Sequence, residues 1–97
     1  MIRHTVLFRW KPEATEEDRN QVATELAKLP SMVPSIRAFA SGADAGLVEG
    51  NFDFAVTADF DDVAGYFAYR DDPGHRDIIA RYILPLAAQR AAVQFEF

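Results

Sequence analysis

The stretch Ile2-Arg3-His4-Thr5-Val6-Leu7-Phe8-Arg9-Trp10 decides the fold. Ile2, Val6, Phe8 and Trp10 fall on one face together with His4. Arg3, Thr5, Leu7 and Arg9 fall on the other. Period-two alternation of this kind marks a strand with one apolar face. Lys11-Pro12 ends it. A second stretch, Phe52 to Phe60, alternates the same way, with Phe52, Phe54, Val56, Ala58 and Phe60 on one face. Asp53, Ala55, Thr57 and Asp59 occupy the other. Antiparallel pairing of the two stretches predicts Arg3 opposite Asp59, Arg9 opposite Asp53, Thr5 opposite Thr57, Val6 opposite Val56 and Phe8 opposite Phe54. His4 then lies opposite the small Ala58. Each favourable pair contributes roughly 0.2–1 kcal/mol, and a one-residue slip loses all of them at once.

The remaining elements are read outward from these strands. Thr15 is an expected helix N-cap, with Glu16, Glu17 and Asp18 at the positive end of the dipole and Asp18 at the capping-box position. Val22, Ala23, Leu26 and Leu29 recur at helical spacing. Lys28 sits in the last turn and Pro30 closes the helix. Ser35 to Ser41 reads as a weaker strand with Ile36, Ala38 and Ala40 on one face and Phe39 on the other. Gly42 to Asn51, with three glycines and two acids, reads as an exposed loop. Asp61 or Asp62 caps a short helix carrying Val63, Tyr66 and Phe67. Asp72-Pro73 interrupts it and starts a new helical run, with Asp72 as N-cap and Pro73 at the first position. Ala91 to Phe97 is the last strand, with Val93, Phe95 and Phe97 expected inward. The order β-α-β-β-α-β predicts an α+β, ferredoxin-like fold: a four-stranded antiparallel sheet of order 4-1-3-2 with both helices on one face.

Composition bounds the function. The chain has 97 residues, read as a single domain spanning 1-97. A domain of this size buries only about 60–65% of its unfolded surface, so dimerisation would add useful burial. There is no cysteine, which excludes a disulfide framework, a thiolate metal site and a cysteine nucleophile. Two histidines in no HxxxH spacing suggest no metal site. A net charge of −5 with scattered Lys and Arg argues against nucleic acid. The first residues alternate at once and read as a strand rather than a signal peptide. No stretch approaches the ~20 apolar residues of a membrane helix. No membrane contact and a cytoplasmic location are therefore expected. The sheet's second face carries Arg3, Arg9, Asp53 and Asp59, with Leu7, Ala55, Phe39 and two threonines between them. Its pattern allows either a solvated face or a polar-rimmed dimer interface.

Two histidines are the informative polar residues. His4 is the one ionisable group on the apolar face of the first strand, where a buried neutral imidazole with one hydrogen bond is the ordinary arrangement. His75, Ile78, Ile79, Tyr82, Ile83 and Leu86 share helical phase, so His75 lies toward the buried side of its helix. It also sits in the first turn, where the dipole and partial burial both hold the imidazole neutral. A general base needs that state near pH 7. The purely structural alternative is a hydrogen bond from His75 to a nearby backbone carbonyl or to Asp72. Tyr66 packs in phase with Val63 and Phe67. Tyr69, near the end of that helix, could fold back toward His75 and polarise a carbonyl; otherwise it is an interfacial tyrosine with a solvated hydroxyl. Arg70, Asp71 and Asp72 read as a solvated turn. Phe8, Trp10, Phe52, Phe54, Phe60, Tyr66, Phe67 and Tyr82 are first of all core. Among them Phe8, Phe54, Tyr66 and Tyr82, with Ile79, are the candidate lining of a hydrophobic pocket. No nucleotide or nucleophile-elbow motif is present, and no cofactor is expected.

The sequence resembles the stress-responsive dimeric α/β-barrel family nearly end to end. The likeness rests on Ile2-Arg3-His4-Thr5-Val6-Leu7-Phe8, on Phe52-Asp53-Phe54, and most on Tyr69-Arg70-Asp71-Asp72-Pro73-Gly74-His75, which fits a Tyr-x-x-x-Pro-x-His pattern. Ile83-Leu84-Pro85 and Val93-Gln94-Phe95 also fit. The resemblance implies a ferredoxin-like fold paired sheet to sheet into a homodimer. It implies for Tyr69 and His75 the positions that serve catalysis in a cofactor-free polyketide cyclase of the family, and for His4 the position of the family's N-terminal histidine. That cyclase has a further histidine where this chain has Phe54 and a tyrosine where it has Leu26. Many members carry histidine where this chain has Asp72. Three functions are then in play. The first is a cofactor-independent enzyme or binder of a small hydrophobic or aromatic carbonyl compound, with His75 as base, Tyr69 as orienter and His4 as accessory. The second is a non-enzymatic stress-responsive structural dimer. The third, by fold analogy alone, is a cofactor-free monooxygenase.

Overall fold

The computed structural model describes all residues, Met1–Phe97. The first strand, β1 (Ile2–Trp10), alternates between buried and half-buried residues along its whole length. It pairs antiparallel with β3 (Phe54–Phe60) in the expected register: Arg3 opposite Asp59, His4 opposite Ala58, Thr5 opposite Thr57, Val6 opposite Val56, Phe8 opposite Phe54. A one-residue slip would turn Val6 and Phe8 away from the core, so burial of one face opposes it.

The expected Arg9–Asp53 pair does not form. Asp53 precedes β3, and its carboxylate accepts the Trp10 backbone N–H at 2.7 Å. Its own N–H donates to the Phe8 carbonyl at 2.8 Å. A short carboxylate competes well for backbone donors at a strand end. Arg9 instead lies over the Phe52 ring, 4.5 Å from its centroid.

The sheet has the order β2-β3-β1-β4, which is the expected order counted from the opposite edge. Strand β2 spans Ala38–Ala43 and β4 spans Ala87–Glu96. Both edge strands differ from the expectation. In β2, Phe39 pairs with Ala58 and packs against the core instead of facing outward. The segment before it is irregular, tied down by Ser35 Oγ donating to the Gly65 carbonyl at 2.8 Å and by Arg37 paired with Asp61 at 2.9 Å. Counting alternation through that segment therefore assigned the wrong face.

Strand β4 starts earlier than expected and pairs along all of β1. Gln94 lies opposite His4, Ala92 opposite Val6 and Arg90 opposite Phe8, so these residues share the helix-side face. Val93 and Phe95, opposite Thr5 and Arg3, lie on the other face. They were expected inward, as was Phe97. All three are exposed, by 54%, 43% and 56%. On an edge strand the apolar residues do not by themselves reveal which face is covered; the partner's register does.

The helices follow their caps. Helix α1 (Glu16–Leu26) opens with a reciprocal capping box, Thr15 Oγ accepting from Asp18 N–H at 3.0 Å and Asp18 accepting from Thr15 N–H at 3.1 Å. It stops at Leu26, before the expected Lys28. A short helix α2 (Leu29–Met32) follows with Pro30 in its first turn, where a missing N–H costs nothing. Helix α3 (Val63–Asp71) is capped by Asp62, whose carboxylate accepts from Gly65 N–H at 2.8 Å. Asp72 then caps α4 (Pro73–Ile78), which continues as a π-helical turn, Ile79–Ile83.

The core lies between these helices and one face of the sheet. Phe60, Leu26, Leu29, Ile83, Val22, Val33 and Val56 are its most enclosed members. Phe67, an expected core aromatic, is 42% exposed and carries the Arg70 guanidinium on its ring. No helix is long and apolar enough to cross a membrane.

Candidate functional site

Alternation along β1 places His4 on the helix side, where it is only 4% exposed. The Gln94 side-chain amide donates to its Nδ1 at 2.8 Å. That bond leaves the imidazole proton on Nε2. Burial first, and then the positive charge of Arg90, lower its pKa to about 4. His4 is therefore a neutral imidazole with an N–H to donate at pH 7.

His75 is positioned by its helix start. The Asp72 carboxylate accepts the His75 backbone N–H at 3.0 Å. Pro73 supplies a preset backbone angle for the turn between them. The ring's Nδ1 lies 3.4 Å from the Arg70 carbonyl, so the N–H sits on Nδ1 and donates there. This is the backbone hydrogen bond of the structural alternative, and it leaves the Nε2 lone pair free. Burial lowers the His75 pKa, against the smaller opposing effects of the Arg70 carbonyl and Asp72.

Tyr69 joins the two histidines. Its ring centroid is 4.1 Å from that of His75 and 5.7 Å from that of His4. Phe60 packs on it at 5.2 Å. Tyr69 is 3% exposed, so its ring is buried rather than interfacial. Burial raises its pKa well above the usual phenol value, so the hydroxyl stays protonated. That hydroxyl has no partner within the chain, yet no fully enclosed side-chain nitrogen or oxygen is unsatisfied. The hydroxyl therefore faces open space, and the space is a cavity.

The cavity has a volume of about 480 Å³ and is bounded by His4, Tyr66, Tyr69 and His75 together with Val6, Phe8, Leu26, Val56, Ile79 and Ile83. Arg70, Leu84 and the Ala87–Arg90 segment complete the wall. Eleven of the sixteen lining residues are hydrophobic, so polar groups in it are few and directional. Of the residues proposed from sequence as its lining, Phe8, Tyr66 and Ile79 border it. Phe54 and Tyr82 do not. Phe54 packs against Trp10 at 6.0 Å, and Tyr82 lies under Arg81 at 5.4 Å.

The π-helical turn accounts for Tyr82. Leu84 N–H donates to the Ile79 carbonyl at 2.9 Å, five residues back. The wider turn inserts one residue into the 3.6-residue phase. Ile83, 1% exposed, takes the inward place, and Tyr82 moves to the flank.

Sequence reasoning missed two residues here, Gln94 and Arg90. Both were within reach. The pairing of β1 with β4 sets them opposite His4 and Phe8. No group of His, Asp and Glu is placed to hold a metal ion.

A four-stranded antiparallel sheet backed by helices on one face, with two histidines and a tyrosine between the layers, defines a ferredoxin-like α+β protein. The chain belongs to the stress responsive A/B barrel domain family, whose family model matches residues 2–97. It is similar to a dimeric ferredoxin-like protein of unknown function from Thermobifida fusca, with 49% identity and a TM-score of 0.92, covering 99% of this chain and 90% of that one. A family protein with a ferredoxin-like fold from Mesorhizobium loti is 21% identical, with a TM-score of 0.83 and coverage of 99% and 95%. A hydroxynitrile lyase from Passiflora edulis is 19% identical, with a TM-score of 0.83 and coverage of 97% and 90%. No curated protein matches the sequence.

Proposed function

We propose that the cavity binds a small hydrophobic or aromatic carbonyl compound and that His75 moves a proton of that compound without a cofactor. One observation carries this reading. Tyr69, His75 and His4, all held in their neutral forms, converge on one cavity whose other walls are mostly apolar. The His75 Nε2 lone pair takes a proton from the carbon beside the carbonyl. The Tyr69 hydroxyl donates to the carbonyl oxygen as it gains negative charge, and the His4 Nε2–H is a second donor. Against mostly apolar walls such preset donors act strongly on developing charge. Low histidine pKa values keep the base unprotonated at pH 7. A hydroxynitrile lyase of the same fold lends support to an enzymatic reading.

The test is proton–deuterium exchange at the activated carbon of benzoylacetone in D2O, followed by NMR. The protein accelerates exchange over free imidazole. His75→Ala removes about 10²–10⁴-fold of the acceleration, the usual worth of a positioned general base, and Tyr69→Phe removes a smaller share. Exchange no faster than imidazole, with no shift of the histidine ring signals on adding the ketone, would sink the proposal.

Two copies, on this reading, join through the uncovered sheet face. The similar protein from Thermobifida fusca is described as dimeric. The exposed Val93, Phe95 and Phe97, with the Arg3–Asp59 pair beside them, supply an apolar patch flanked by charge. A structural-dimer role accounts equally well for the hydrogen bonds at His4 and His75. It has no use for the cavity.

A further inference from the structure

The cavity's charge is opposite to that of the chain. The protein carries −5 overall, yet its cavity wall holds two arginines, two histidines and no carboxylate. The two arginines are not equivalent. Arg70 is neutralised by Asp71, with hydrogen bonds of 3.0 and 3.4 Å, and its guanidinium rests on the Phe67 ring. Arg90 takes part in none of the chain's ion pairs. It stands opposite Phe8 on the helix-side face of the edge strand β4, at the exposed rim of the cavity. Acidic groups on the neighbouring helices are already engaged. Asp71 serves Arg70 and Arg76, and Asp72 holds the His75 backbone N–H.

We infer that the cavity's ligand carries a carboxylate, and that Arg90 is the specificity-determining residue that binds it at the rim while the apolar body lies against Phe8, Ile79 and Ile83. This inference rests on the cavity being a ligand site, as proposed above. One unpaired guanidinium matches one negative charge, and its planar fork suits a carboxylate bidentately. An unpaired cation at the mouth of an apolar chamber also draws anions in from solution. The electrostatics agree with the placement. After burial, the charge of Arg90 is among the causes that lower the pKa of His4 and His75, and it opposes the burial that raises that of Tyr69. All three groups therefore sit within its field. With the carbonyl at Tyr69 and the carboxylate at Arg90, the substrate class is a hydrophobic keto acid.

A matched pair of probes tests this. 2-Naphthoate and the neutral 2-naphthamide have the same ring and differ in charge. Each is titrated into the ¹⁵N-labelled protein, and the shifts of the His4 and His75 signals are followed. The carboxylate is expected to bind about ten-fold or more tightly than the amide, the usual scale of a charge-assisted hydrogen bond. Arg90→Gln is expected to weaken the carboxylate far more than the amide and so abolish that preference, and Arg90→Lys to restore part of it. Equal affinities for acid and amide in the wild-type protein overturn the role of Arg90 and leave the cavity as a neutral-ligand site. A preference that survives in Arg90→Gln also overturns it. Absence of any shift with either probe overturns both this inference and the binding reading beneath it.

Discussion

The two faces of the sheet share strands and differ in almost everything else. On the helix side, β1 contributes Ile2, His4, Val6, Phe8 and Trp10, all buried. Its one polar member is kept uncharged. On the outer side, Arg3 forms a two-pronged pair with Asp59, at 2.7 and 2.9 Å, and lies 4.4 Å from the Phe97 ring centroid. There the polar groups are kept charged: hydrogen bonding with Arg3 lowers the Asp59 pKa, and Asp59 raises that of Arg3. Alternate residues of one strand thus serve two environments. The helix-side face removes charge from the imidazole it encloses, whereas on the outer face the bidentate Arg3 partner keeps Asp59 charged although it is only 7% exposed.

The largest expected contrast is a pair of truncations. Phe60→Ala, at a fully buried helix-side position, should cost about 3–5 kcal/mol of unfolding free energy. Phe95→Ala, on the outer face, should change the stability of dilute protein by no more than about 0.5 kcal/mol. It should instead weaken self-association in sedimentation velocity. Equal losses from the two changes in urea unfolding would erase the distinction between the faces.

The next contrast is in pH. The folded-state pKa of His4 is about 4, below its ordinary 6.5, so between those values the unfolded chain binds the extra proton. Stability is therefore unaffected by this group above pH 6.5 and falls as the pH drops toward 4, by about 3 kcal/mol in all. His75 adds in the same direction. Asp59, with a lowered pKa, contributes stability that is lost only at pH values below the histidine window. Urea midpoints from pH 4.5 to 7.5 should show the slope, and His4→Gln should flatten most of it. A slope unchanged by that substitution would assign the pH response to another group.

The smallest effect compares two helix caps. Asp72→Ala and Thr15→Ala each remove a side-chain acceptor and should each cost about 1 kcal/mol in thermal melts. Only Asp72→Ala should also move the His75 ring signals, because only that cap holds the start of the helix bearing His75. Matching ring shifts in both variants would show that the caps act on the site only through global stability.

Legibility in the sequence followed the strength of local chemistry. Caps at Thr15 and Asp72 were readable, and that of α3 to within Asp61 or Asp62, because a short polar side chain and a donor three residues on are a local device. The pairing of β1 with β3 was readable because many complementary pairs fell into place together. The faces of β2 and β4 were not. Phe39, Val93, Phe95 and Phe97 were assigned the wrong side, since neither edge strand sets an opposite-charge or aromatic pair against its neighbour to mark the register. Tyr82 was displaced by a π-helical turn that helical periodicity does not anticipate. Gln94 and Arg90 come into view only once β4 is set in register against β1, opposite His4 and Phe8.

The sequence by itself determined the element order, the central strand pair, the family and the placement of His4 and His75 toward the apolar side. Each of these depends on contacts near in sequence or on one long, strongly patterned strand. Only the tertiary structure decided that Tyr69 is buried between the two histidines, that Gln94 sets the tautomer of His4, and that Arg90 stands unpaired at the rim of a cavity. These depend on how α3, α4 and β4 meet over β1, and on the space left between them. Packing of whole side chains fixes that space, and no residue's own neighbours in sequence report it.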